Sequence, residues 1–93
     1  MKYNVKLTPI AANFLTKQHP ENKKLIKASL KELALNPYSG KELQEELSGF
    51  WTYKPKRFRV IYKIDDTDRF IRVYIIGHRK EIYELFSDAL RHR

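Results

Sequence analysis

The chain has 93 residues, of which 42% are hydrophobic and 32% charged, and it has no cysteine. A chain of this length is expected to fold as one domain, here over residues 1–93. Nineteen Lys and Arg against eleven Asp and Glu give a net charge of +8, which favours an anionic partner. The lack of cysteine excludes disulfides and thiolate metal sites. Because neither a signal peptide nor a membrane span is recognisable, we expect a cytoplasmic protein without membrane contact.

Two helices are predicted after a short first strand. Apolar and polar residues alternate over Tyr3–Leu7, which is typical of a half-buried strand. Thr8 before a proline predicts the cap of a helix that runs to about Gln18. Pro20 begins a second helix, which ends before Pro37. One face of this second helix is basic and is a candidate RNA-binding surface, formed by Lys24, Lys27 and Lys31.

The second half of the chain predicts three strands and a last helix. After a polar stretch, apolar residues alternate from Phe50 to about Ile76, with breaks at Lys54–Arg57 and Asp65–Asp68. Apolar residues at helical spacing over 80–93 predict a closing amphipathic helix. The order is β-α-α-β-β-β-α, an α+β fold in which helices pack on a mostly antiparallel sheet.

Strand pairing at the two breaks predicts one apolar face. At the second break we place Ile64 opposite Arg69, and at the first break Lys54 opposite Arg57. Both registers place apolar side chains on the same side of the sheet. That face carries Trp51, Tyr53, Phe58 and Val60.

The opposite face of these strands predicts a phosphate-binding surface. It collects Lys54, Arg57, Arg59, Lys63, Arg72 and Tyr74. In this register Arg59 lies directly across from Tyr74, and no acidic residue occurs from Gly49 to Ile64. The planar donor fork of arginine matches phosphate oxygens, and lysine adds a point charge. The alternative is a solvated basic face that binds nothing.

The turn before the last helix brings further candidates to the same edge. Arg79 and His78 end the last strand close to the Lys54–Arg57 break. His78 is a candidate acid–base group, because imidazole titrates near neutral pH, or else a cap at the helix start. Tyr83 borders the apolar stripe of the helix and either packs half-buried or exposes its ring and hydroxyl toward the basic cluster. From the residues alone we expect it to be packed.

The sequence does not support a phosphate-loop, metal or cofactor site. There is no glycine-rich phosphate loop and no cluster of metal-ligating residues, so we expect neither a cofactor nor a metal.

Four segments together resemble the RelE/ParE superfamily of bacterial toxins: LSGFW at 47–51, RFRVIY at 57–62, IGHR at 76–79 and IY at 82–83. The resemblance covers nearly the whole chain. It implies a microbial-RNase-like fold and, for the RelE branch, the toxin of a type II toxin–antitoxin system. Such a toxin cleaves messenger RNA in the ribosomal A site by attack of a 2′-hydroxyl, without a metal. The implied partners are mRNA on the ribosome, with contacts to ribosomal RNA, and an acidic antitoxin.

The resemblance also implies roles for individual residues. Arg59 matches the strand arginine that holds and neutralises the phosphate, and Arg79 matches a second arginine near the last helix. Tyr83 matches a tyrosine that orients the nucleotide or stacks on it. Lys54 is the best match for a lysine that acts as general base.

Alternatives remain open for both the base and the function. Lys56, Arg57 and His78 are the other candidates for the base, and Lys56 and Arg57 are also candidate RNA ligands. A ParE-type toxin that inhibits DNA gyrase would keep the basic face. A nucleic-acid-binding module, or an inactive toxin that only pairs with an antitoxin, would do the same. The joint presence of Arg59, Arg79 and Tyr83 favours the nuclease.

Overall fold

Three α-helices and a five-stranded sheet make up the computed structural model, which describes residues 2–91. The elements are β1 (Asn4–Leu7), α1 (Pro9–Thr16), α2 (Pro20–Leu35), β2 (Lys41–Glu42), β3 (Trp51–Tyr53), β4 (Phe58–Asp65), β5 (Phe70–His78) and α3 (Ile82–Arg91). The predicted closing helix over 80–93 corresponds to α3, and residues 92 and 93 lie outside the described residues. Within 2–91, none of the helices combines the length and the apolar character that a membrane span requires.

Local sequence signals fix the first two helices. The hydroxyl of Thr8 accepts a hydrogen bond from Ala11 N at 3.2 Å and thereby caps α1. Pro20 occupies the first turn of α2, where its missing N–H costs nothing. The apolar stripe of α2 is buried at Ile26, Leu30 and Leu33, and Leu25 is half-buried beside it. Both predicted helices are confirmed.

The strands are arranged in the order β1-β5-β4-β3-β2. β1 runs parallel to β5, while the other pairs are antiparallel, so the sheet is mixed. The predicted α+β fold is confirmed. A two-residue edge strand, β2, lies in the stretch for which the sequence predicted a loop, and two short 3₁₀ turns flank it at Pro37–Ser39 and Glu45–Leu47.

The predicted pairing between β3 and β4 is wrong by two positions. Tyr53 pairs with Val60 and not with Phe58, because the connecting loop is longer than a tight turn. A shift of two leaves each side chain on its predicted face, since side chains alternate with period two. Val60 is fully buried and Arg59 only half-buried, so the assignment of faces is confirmed.

The register between β4 and β5 also differs from the prediction. Ile64 lies opposite Ile71 and not Arg69, because the turn comes one residue later in the chain. The turn is held there by Asp65 Oδ1, which accepts a hydrogen bond from Asp68 N at 2.8 Å. A β-bulge then shifts the pairing between Ile61 and its neighbour Tyr62.

The later turn and the bulge together change which residue lies across from Arg59. Tyr74 is the extra residue on β5, and beyond it Ile61 pairs with Ile75 and Arg59 with Gly77. The prediction that Arg59 faces Tyr74 is therefore wrong. Gly77 allows close packing at this point, because a Cβ there would lie 3.2 Å from both Ile82 Cδ1 and Leu85 Cδ1.

Helices cover both faces of the sheet. On the inner face, α1 and α2 pack over a core that includes Phe58, Val60 and Tyr62. On the outer face, α3 contributes buried side chains to a smaller core that contains Phe50, Ile61, Ile75, Ile82 and Phe86. Because Ile61 is fully buried between Arg59 and Lys63, the predicted basic face is not continuous. Its arginine end and its lysine end are separate surfaces.

Candidate active site

The loop between β3 and β4 meets the turn that follows β5. Arg79 N donates a hydrogen bond to Arg57 O at 2.8 Å, and this contact joins the two segments. An open groove of about 430 Å³ lies at the junction, lined by Arg57, His78, Arg79, Lys80 and Glu81. We call this end of the sheet, with the loop residues 54–57, Arg59 and Arg79, the basic edge. The expectation that Arg79 reaches the hairpin end is confirmed.

Arg59 organises the loop at this edge. Its Nη1 donates to Lys56 O at 2.9 Å and to Phe58 O at 2.7 Å. Lys56 has a φ of 55°, a left-handed conformation that costs a residue with a Cβ roughly 1–2 kcal/mol. The two bonds from Arg59 stabilise that conformation. Among the described residues no hydrogen bond involves Nη2 or Nε of Arg59, so these donors are free to face a phosphate.

Arg57 links the basic edge to α2. Its Nη2 donates to Asn22 Oδ1 at 3.2 Å, and its guanidinium carbon lies 5.2 Å from the centre of the Phe58 ring. Sequence reasoning missed Asn22, which is distant along the chain and carries no motif. Arg57 also lines a second groove of about 320 Å³, beside His19, Pro20, Glu21 and Asn22.

The lysines of α2 continue this surface. A third groove of about 570 Å³ is lined by Pro20, Lys23, Lys24, Lys27, Ala28 and Lys31. Lys24, Lys27 and Lys31 are exposed. Successive grooves share Arg57 and Pro20, so a basic surface runs from Arg79 to Lys31.

The two candidate lysines of the loop are open to solvent. Lys54 and Lys56 are both exposed, and within residues 2–91 no carboxylate is within ion-pair distance of either ammonium group. Pro55 between them is buried and anchors the loop. Both ammonium groups can therefore approach a nucleotide bound at the basic edge.

His78 lies on the inner side of the basic edge. Its ring is half-buried, with the ring centre 5.0 Å from that of Phe58 and 6.0 Å from that of Phe14. The backbone carbonyl oxygen of His78, and not its ring, accepts a hydrogen bond from Glu81 N in the turn before α3. The imidazole is thus packed against aromatic rings, although one side of it lines the groove.

Tyr83 does not pack as expected. Its side chain is 49% exposed, because Ile82 and Phe86 occupy the buried stripe of α3. The exposed ring lies in the first turn of the helix, shortly after Arg79 in the chain. Within residues 2–91 no group of three or more His, Asp or Glu side chains is arranged to hold a metal ion.

Comparison with known proteins identifies the family. A family model described as the ParE toxin of a type II toxin–antitoxin system, parDE, matches residues 5–83. The chain belongs to this family of toxins. The toxin RelG of Mycobacterium tuberculosis is 32% identical to it, over 89% of this chain and 98% of that protein. The resemblance to the RelE/ParE superfamily is confirmed.

Solved structures agree with this assignment. The toxin superposes on a RelBE toxin–antitoxin complex of Mycobacterium tuberculosis with a TM-score of 0.76 and 27% identity, covering 85% of this chain and 100% of that one. A mutant of the E. coli toxin RelE in the free state gives a TM-score of 0.75 at 19% identity, covering 98% and 97%. This second likeness shows the fold alone. The range matched by the family model spans the positions of Arg59, Arg79 and Tyr83.

Proposed function

We propose that this toxin is an endoribonuclease, an mRNA interferase that cuts messenger RNA in the ribosomal A site without a metal or another cofactor. The basic edge carries the proposal. Arg57 and Arg79 line one open groove, and Arg59 holds the adjoining loop through Lys56 O and Phe58 O. Within residues 2–91 no carboxylate is within ion-pair distance of these three guanidinium groups. Their charge is available to an anionic ligand.

The chemistry suits a cleft that offers cations. In the proposed reaction the 2′-oxygen of one nucleotide attacks the adjacent phosphorus, and the bond from phosphorus to the 5′-oxygen of the next nucleotide breaks. The products are a 2′,3′-cyclic phosphate and a 5′-hydroxyl. The transition state carries more negative charge at phosphorus than the substrate does. Arg59 and Arg79 would stabilise this added charge from fixed positions.

Proton transfer and nucleotide binding would use the neighbouring side chains. Lys54 is the proposed base that removes the 2′-hydroxyl proton, with Lys56, Arg57 and His78 as alternatives. The leaving 5′-oxygen would take a proton from water and become the 5′-hydroxyl. The exposed ring of Tyr83 suits stacking on a base, which is sequence-tolerant because every base has a π-face. Each role is tested by substitution at one position.

The proposed partners follow from the charged surface and from the relatives. Messenger and ribosomal RNA would bind along Arg57, Lys56 and the lysines of α2: Lys24, Lys27 and Lys31. RelE-type toxins have been solved in complex with the antitoxin RelB, which supports a cognate antitoxin here, and the net charge of +8 favours an acidic one. We place the toxin in the cytoplasm, where ribosomes are found, and propose one toxin domain over residues 1–93.

Induced expression tests the proposal. We expect growth arrest with new messenger 5′ ends that map by primer extension to the A-site reading frame. Arg59→Ala and Arg79→Ala variants are expected to lose both the cleavage and the toxicity. Growth arrest with intact messenger, and with variants that remain toxic, would contradict the nuclease.

The family match favours a second candidate. The matching model is described as ParE of parDE, and a ParE-type toxin would block DNA gyrase by binding. In that case induction should stop DNA replication first, while messenger RNA stays intact. An assay of gyrase supercoiling with purified toxin separates the two functions.

A further inference from the structure

A row of three cations crosses the part of the outer face that lies beyond the small core under α3. Lys6 of β1 pairs with Arg72 of β5, and Arg72 pairs with Lys63 of β4. All three side chains are exposed. Adjacent strands lie about 5 Å apart, and each of the three strands contributes one cation to the row. We call these residues the outer cationic row.

Aromatic rings contact the three cations, although Asp65 and Asp66 line one groove together with Lys63 and Arg72. Within the described residues none of the three takes part in an ion pair. Lys6 Nζ lies 4.0 Å from the centre of the Phe70 ring, and the Arg72 guanidinium carbon lies 5.5 Å from it. Lys63 Nζ lies 4.5 Å from the centre of the Phe50 ring. Like charges directly opposite each other destabilise a sheet, and cation–π contacts offset only part of that cost. The row therefore retains charge for an external anion.

The row is a different surface from the basic edge. Arg59 and Lys63 are four positions apart on β4, which corresponds to about 13 Å. The fully buried Ile61 lies between them in the core that Ile82 and Phe86 of α3 complete. One segment of nucleic acid at the basic edge would have to pass around α3 to reach the row.

We propose that the outer cationic row binds the phosphate backbone of a second RNA segment, apart from the segment that is cut. It rests on the proposed function only in taking RNA as the ligand. A ribosome presents RNA on more than one side of a protein in its A site, so a second contact would fix how the toxin sits there. The toxin would be held between two RNA surfaces.

The composition of the surface favours RNA over a protein partner. The exposed large hydrophobic residues among those described are Ile10, Leu35, Tyr38, Tyr83 and Leu85, and none of them lines the groove that Lys63 and Arg72 share. An amphipathic helix would find no fully exposed apolar side chain among these cations, whereas a phosphodiester chain binds through charge alone. Lys63 and Arg72 line a groove of about 380 Å³ together with the half-buried rings of Phe70 and Tyr74, which can contact bases. Asp65 and Asp66 also line that groove and would keep the backbone on the cationic side.

Binding of an uncleavable RNA tests the row. The probe is a fluorescent 12-nucleotide oligouridylate with 2′-O-methyl groups, titrated at several salt concentrations. The test variant replaces Lys6, Lys63 and Arg72 by Gln, and the control replaces Lys17, Lys41 and Arg91 by Gln, so both lose the same charge. Each phosphate contact contributes about 0.7 to the salt slope for single strands, so the test variant should lose about two units of slope. Its affinity at moderate salt should fall by about tenfold or more, and that of the control much less.

Local protection gives a second readout. With the wild type, the same RNA should slow acetylation of Lys6 and Lys63, measured by mass spectrometry, while Lys17 reacts unchanged. Equal slopes for both triple variants, or unprotected Lys6 and Lys63, would overturn the proposal. So would loss of binding to polyglutamate but not to RNA in the test variant, which would assign the row to an acidic peptide. Because the probe cannot be cut, the outcome is independent of whether the toxin cleaves messenger.

Discussion

The two ends of the β4–β5 hairpin use charge in opposite ways. At the turn, the carboxylate of Asp66 accepts hydrogen bonds from the hydroxyls of Tyr3, at 2.6 Å, and of Tyr38. The bond from Tyr3, followed by that from Tyr38, lowers the pKa of Asp66. At the basic edge, Arg57 and Arg59 have only neutral oxygens as hydrogen-bond partners among the described residues.

The difference separates stability from function. At the turn end, the carboxylate of Asp66 joins the hairpin to Tyr3, beside β1, and to Tyr38, in a 3₁₀ turn. Substitutions there should affect unfolding and not catalysis. The basic edge leaves arginine donors free, so changes there should affect catalysis and not unfolding. Arg59 is the expected exception, because it both faces the site and holds the loop.

The largest expected effect is that of Arg79→Ala. Removing a preorganised charge-stabilising group costs on the order of 10²–10³ in rate, and this loss is expected for messenger cleavage. Because the Arg79 side chain is exposed, the melting temperature should stay within a degree or two of the wild type. The control is Arg91→Ala, on the last turn of α3, which should cleave normally. Full cleavage by Arg79→Ala would remove this residue from the mechanism.

Arg59→Ala should lose both cleavage and stability. The rate should fall by a similar factor, and unfolding should become easier by about 1–2 kcal/mol, since two hydrogen bonds to loop carbonyls are lost. For a domain of this size that corresponds to a drop of roughly 5–15 °C in melting temperature. Parallel measurement of cleavage and thermal unfolding checks it. An unchanged melting temperature would show that these bonds do not hold the loop.

Asp66→Asn should lower stability in a pH-dependent way and leave cleavage unchanged. The folded pKa of Asp66 lies below its usual 3.8, so its contribution is present above about pH 4 and is lost as the pH falls through the folded value. The variant should melt at a lower temperature than the wild type near pH 7, and the difference should vanish at strongly acidic pH. Cleavage at neutral pH should be normal. A difference that persists in acid would mean that the carboxylate charge is not the cause.

The hydrogen bond from Tyr38 to Asp66 should also make stability depend on pH in the alkaline range. The hydrogen bond to Asp66 raises the pKa of Tyr38 to about 12. A raised folded pKa favours the neutral phenol, so this stability is lost as the pH rises from about 10 to about 12. Tyr38→Phe should flatten the fall in melting temperature over that interval. If the melting temperature of Tyr38→Phe falls over that interval as much as that of the wild type, Tyr38 is not the group responsible.

Substitution of Tyr83, in the first turn of α3, should give the smallest loss of cleavage. If the ring stacks on a base, Tyr83→Phe should cleave within about threefold of the wild type, and Tyr83→Ala should lose about tenfold, in line with about 1–3 kcal/mol for a stacked base. Single-turnover cleavage of one messenger by the three proteins decides this. A large loss in Tyr83→Phe would instead give the hydroxyl a role in proton transfer.

Local signals in the sequence predicted the helices and the strand faces. Thr8 and Pro20 act within one turn of the chain, and period-two alternation put Val60 and Arg59 on the correct sides. The consecutive apolar residues Val60 and Ile61 already indicate a strand buried on both faces. That signal would have predicted that α3 covers part of the outer face and divides the basic face into two surfaces.

Other features depend on contacts between distant residues. The later hairpin turn and the bulge at Tyr74 together place Gly77 opposite Arg59. The bond from Arg57 to Asn22 and the parallel pairing that aligns Lys6 with Arg72 join segments with no common motif. Alternation within one strand carries no information about such partners, so these parts of the site required the three-dimensional structure.

Cleavage by the purified toxin on programmed ribosomes tests the central claim most directly. Ribosomes that hold a defined messenger with an empty A site would be mixed with the wild type, with Arg79→Ala and with the control Arg91→Ala. We expect the wild type and the control to cut the A-site codon and leave a cyclic phosphate, and Arg79→Ala to be slower by on the order of 10²–10³. Intact messenger with all three proteins, together with inhibition of gyrase supercoiling by the wild type, would contradict the nuclease and favour the gyrase-directed toxin.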